Sequence, residues 1–187
     1  MVRRRSEGGF TLVEVLVTLG LISTLMAGLG AFFTSSIQAS RSQSRLQAAT
    51  RLAQAGMEQA RGFGGATLLS GRAQCGSCVN LNGYDAGYLS GTVRWDAKVT
   101  GATPTVPYDD QPQTVPVGGV TYYRYWFVGK CWQAATGGLC TTTSTLPVAM
   151  VRLVVGVIWL DSSCAYSLCV QAATALFSAD PADPVFP

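Results

Sequence analysis

The sequence predicts an α+β protein: one long N-terminal helix followed by an antiparallel β-sheet. Three observations predict it. Residues 10–33 (FTLVEVLVTLGLISTLMAGLGAFF) are apolar apart from one acid, small hydroxyls and glycines. Residues 34–61 contain no proline and one glycine and continue the helical pattern. From residue 63 the apolar spacing changes to period two, the signature of half-buried strands.

As a helix, residues 10–33 span roughly 36 Å at about 1.5 Å per residue, enough for a bilayer core of about 30 Å. Arg3, Arg4 and Arg5 precede them, which predicts a cytoplasmic N-terminus. In the continuation, Leu46, Ala49, Ala53, Met57 and Ala60 form one apolar stripe, and Gly62-Phe63-Gly64-Gly65 ends the helix. Residues 10–61 would then be about 78 Å long, more than a head of this size can cover. In 92–99, Val93, Trp95, Ala97 and Val99 are expected on the core face and Arg94, Asp96 and Lys98 on the other. Further strands are expected at 120–128, at 148–160 and at 165–177. Of these, 120–128 carries the aromatic run Tyr122, Tyr123, Tyr125, Trp126 and Phe127. The proline-rich stretch 101–119 reads as a loop, and its acids Asp109 and Asp110 as solvated, like Asp180 and Asp183 in the tail. Strands that follow one another without helices argue for an antiparallel sheet. The division expected is a leader over 1–9, a membrane and assembly helix over 10–33, its amphipathic continuation over 34–62, and a head over 63–187.

The acid in the apolar run is Glu14. A carboxylate at mid-bilayer costs about 2.5–3.5 kcal/mol on insertion scales. Near the start of the span the cost is smaller, and the helix N-terminus offsets part of it. An intramembrane acid still calls for a cation. Gly20, Thr24 and Gly28 recur at the four-residue spacing that permits close helix approach.

The arginine-rich leader, then Gly9, Phe10, Thr11, Leu12, Glu14 and a further apolar run, resembles the N-terminus of type IV prepilins and type II secretion pseudopilins. The resemblance covers about residues 3–60. It implies the pilin lollipop fold, and cleavage between Gly9 and Phe10 by a membrane-embedded prepilin peptidase, followed by N-methylation of Phe10. It also implies that Glu14 meets the new amine of a neighbouring subunit during assembly. The partners implied are other pilin subunits in a filament, the peptidase, the cytoplasmic membrane and the assembly machinery. The helix has no mid-span proline and an Ala/Gln/Arg-rich continuation, which looks like minor pilins. An ordinary signal peptide, cleaved after Ala27-Gly28-Leu29 or Gly28-Leu29-Gly30, is the competing reading of the N-terminus.

The chain has six cysteines, all after residue 74, and no histidine. The cysteines suggest an oxidising compartment. Cys131 with Cys140, Cys164 with Cys169, and by elimination Cys75 with Cys78, are the local pairs the spacing offers. Each would contribute about 2–3 kcal/mol by closing a short loop. Without histidine there is no Ser-His-Asp set, and Cys75-Gly76-Ser77-Cys78 is the one catalytic candidate, as a thiol–disulfide site. The expectation is a structural disulfide, no metal, no cofactor and no enzyme. Net charge is +3, and residues 1–9 supply two of it, so no nucleic-acid surface is predicted.

Overall fold

The computed structural model describes residues 11–76, 78 and 89–180. Helix α1 runs unbroken over Leu12–Arg61. The chain divides into two compact units, and the division, after Ser44, falls inside this helix.

In the first unit the described residues are solvent-exposed throughout and helical from Leu12 onward. Every hydroxyl of the helix through Ser35 bonds back along it. Thr18 Oγ1 donates to the Glu14 carbonyl and Ser23 Oγ to that of Leu19. Thr24, Thr34 and Ser35 do the same to Leu21, Gly30 and Phe32. An apolar medium therefore meets almost no unsatisfied polar group on this helix, which is the condition for spanning a membrane.

The second unit packs the last turns of α1 on a sheet. A short helix α2 (Gly65–Leu68) follows, then strands β1 (Arg72–Ala73), β2 (Val93–Arg94), β3 (Ala97–Lys98), β4 (Gln113–Val117), β5 (Val120–Gln133), β6 (Val148–Leu160) and β7 (Leu168–Ser178). β1 and β3 form a two-stranded sheet. The other five make an antiparallel sheet in which β6 is central, β7 forms one margin, and β4 and β2 pair in turn along the outer side of β5. β6 is buried on both faces because it is the middle strand. Val151, Leu153, Val155 and Val157 face the helix, and Val154 and Ile158 the other side.

Ala49, Ala53, Met57 and Ala60 are buried against this sheet, whereas Leu46 remains exposed. The stripe is made of small residues because helix and sheet approach closely. A Cβ on Gly56 would lie 2.8 Å from Val155 Cγ1 and 3.2 Å from the Trp126 ring. Gly56→Ala should therefore destabilise by about 1–3 kcal/mol through overpacking, despite alanine's better helix propensity. A denaturation midpoint equal to or above the parent's would contradict that.

Two expectations are corrected. The stretch 92–99 is not one strand. It breaks into β2 and β3, which belong to different sheets, and the alternation fails at two positions: Asp96 is buried and Val99 is 40% exposed, while Trp95 packs on the core and Lys98 is exposed as expected. The reason is that Asp96 closes an edge. β5 pairs with β2 at Gly129 and Lys130, Trp95 donates its N–H to the Val128 carbonyl, and the Asp96 carboxylate accepts the Val128 N–H at 2.9 Å where strand pairing gives out. The buried carboxylate is paired with Arg72, whose guanidinium also donates to the Val106 and Pro107 carbonyls at 2.5 and 2.7 Å and stacks over the Tyr108 ring. Burial pushes the Asp96 carboxyl up and Arg72 down, while each charge pulls the other back.

The second correction concerns 101–119, which contains a strand. β4 and β5 form a hairpin closed by Gly118-Gly119, both at positive φ, as a two-residue turn of this hand requires. Pro116 is compatible with β4 because it stands opposite Thr121, one step from the closing pair Val117–Val120. The alternation of an antiparallel ladder directs a nitrogen there away from β5. In the same stretch Asp109 is buried and paired with Arg94, and Asp110 pairs with Lys98, so these acids pin the loop rather than decorate it.

Candidate functional site: the start of the N-terminal helix

Helix α1 starts with an N-cap. Thr11 Oγ1 accepts the Glu14 backbone N–H at 3.3 Å, and the Thr11 carbonyl accepts the Val15 N–H. Thr11-Leu12-Val13-Glu14 has the Thr-x-x-Glu spacing of a capping box. Glu14 thus lies in the first turn, where a negative charge complements the helix dipole. This local role is legible in the sequence as a threonine three residues before a glutamate.

Among the described residues Glu14 has no cationic partner. Leu12, Val13, Leu16 and Val17 around it are exposed. Gly20, Gly28 and Gly30 leave open space where a Cβ would stand. α1 is long and apolar enough to cross a membrane by length and composition. Gly9 and Phe10, the expected processing residues, lie outside the described residues.

The cysteines are brought together as Cys75–Cys78, Cys131–Cys140 and Cys164–Cys169, and none is free. Cys75 is held by its N–H on the Arg94 carbonyl at 3.0 Å. Cys131–Cys140 closes the loop after β5, where Trp132 and Thr141 exchange backbone hydrogen bonds. Cys164–Cys169 ties the β6–β7 connection. Asp161 in that connection pairs with Arg45 of α1, and the Ser163 N–H together with the Arg45 guanidinium and the Ser163 hydroxyl holds its carboxyl down to about 2. Among the described residues no cluster of acids, cysteines or histidines could hold a metal ion. The aromatic run divides between the two faces. Tyr122 and Trp126 are buried under the helix, Phe127 is buried on the other face, and Tyr123 is 36% exposed.

Residues 4–30 match the family model of the prokaryotic N-terminal methylation motif. This is the prepilin-type signal that type IV pilins and pseudopilins carry, and it covers the start of α1. No curated protein and no solved structure matches the chain. The signal and the layout, an apolar N-terminal helix followed by an antiparallel sheet, agree with each other as parts of one pilin-like α+β architecture.

Proposed function

We propose that this chain is a non-enzymatic structural subunit of a type IV pilus or related filament, a minor pilin. Prepilin peptidase cuts it between Gly9 and Phe10 and methylates the new N-terminus. Before assembly it is a single-pass protein of the cytoplasmic membrane with its leader inside. After assembly α1 packs among the helices of other subunits and the β head is displayed outside. Glu14 pairs with the Phe10 amine of a neighbour, because a carboxylate in an apolar filament core must find a cation or carry its full desolvation cost.

The observation that carries this reading is the methylation motif at 4–30 lying over the start of an exposed helix whose apolar part, residues 12–33, has one acid, Glu14, in its first turn. N-terminal sequencing and intact mass of the mature protein test it. The expected start is methylated Phe10. An intact Met1, or a start near residue 30, overturns it.

A further inference from the structure

The two margins of the five-stranded sheet are treated differently. Along β5 the outer backbone groups are covered by β4, by Trp95 and Asp96, by β2 and, at Trp132, by Thr141. β4 itself is short and carries Pro116. Such features keep a sheet from adding strands. β7 has none of them. It is 11 residues long, it pairs with β6 without a bulge from Leu168 to Ser178, and it contains no proline, glycine or charge. Among the described residues no strand pairs with its outer side.

The ladder fixes which groups face out. Asp161 donates its N–H to Ser167 and Ala179 donates to Ala149, one pair beyond each end of the β6–β7 register. Antiparallel alternation then turns the odd positions of β7 toward β6 and the N–H and C=O of Val170, Ala172, Thr174 and Leu176 outward. Past Leu176 the edge is closed by α2, since the Ser178 carbonyl lies where a Cβ on Gly65 would stand. The free stretch is Val170–Leu176, with small Ala172 and Thr174 between two larger apolar side chains.

We propose that this edge is a strand-addition site. It takes an extended, uncharged segment of a different polypeptide, which joins the sheet as a further strand beside β7. Unpaired alternating donors and acceptors recognise an extended backbone, and the absence of charge selects an uncharged one. A second copy pairing β7 with β7 is the competing occupant, and the test below separates the two by whether the edge is protected by peptide or only by self-association.

The test uses the full chain in detergent micelles and a short capped peptide of alternating threonine and valine. Amide exchange is read by residue with and without peptide. The expected result is slowed exchange at Val170, Ala172, Thr174 and Leu176, with Ala173 and Ala175 already slow in its absence. Thr174→Pro removes an outward donor and spares the β6 ladder, and should weaken peptide binding by at least about tenfold. Thr174→Lys blunts the same edge without touching the backbone and serves should the proline variant not fold. Unchanged exchange at the four outward amides, or undiminished binding by Thr174→Lys, overturns the proposal. So does self-association that Thr174→Lys abolishes while the peptide protects nothing. Neither processing nor filament formation enters this experiment, so its failure leaves the pilin reading standing.

Discussion

Asp96→Ala is expected to lower the stability of the β head by about 3–5 kcal/mol, which is a large share of the roughly 5–15 kcal/mol a domain possesses. Two losses combine. Arg72, whose side chain is fully buried, is left as an uncompensated charge, and the Val128 N–H loses its acceptor. The pair itself need not be strongly stabilising, because its desolvation offsets much of its attraction. The discriminating measurement is a double-mutant cycle on Arg72→Met and Asp96→Leu in denaturant. The double variant should be markedly more stable than the sum of the single losses predicts, yet less stable than the parent. Arg72 also holds the Val106 and Pro107 carbonyls, and no apolar side chain replaces those bonds. Additive single effects would mean that the two side chains are not coupled.

Glu14→Ala is expected to leave cleavage at Gly9–Phe10 intact and to remove most of the protein from sheared filaments. An amine buried without its carboxylate costs about 3–5 kcal/mol, or two decades or more in the incorporation equilibrium. Glu14→Gln keeps shape and hydrogen bonding without charge and should fall between the two. The helix loses little in either variant, because the cap rests on the Thr11 hydroxyl and the Glu14 backbone N–H, which both substitutions retain. Parent-level incorporation of Glu14→Ala, with normal processing, would falsify the pairing.

The long apolar elements were the most legible. Residues 148–160 stand out as a near-continuous apolar run because β6 is covered on both faces, and they form the strand expected there. The stripe Ala49, Ala53, Met57 and Ala60 was equally direct, though nothing in its spacing told that Gly56 would be the point of closest approach. Where polar groups are buried for a local backbone reason, the pattern misled. Asp96 sits at an even position of an apparent amphipathic strand, and only the buried Val128 N–H, which no strand reaches, explains why a carboxylate belongs inside. Pro116 marked a loop by composition, but a ladder has positions that need no donor. The methylation motif was readable because it is a linear pattern of neighbouring residues, whereas the free edge of β7 depends on which strands fail to pair with it.

The disulfides have a consequence for biogenesis. Each cysteine is bonded to the next one in the chain: Cys75 to Cys78, Cys131 to Cys140, Cys164 to Cys169. Of the 15 pairings six cysteines allow, this is the set formed when thiols are joined strictly in order of appearance. A head that enters an oxidising compartment in sequence order, from residue 63 onward, can complete each bridge before the next pair of cysteines emerges. Reshuffling is then unnecessary, and no bridge has to wait for the sheet to close.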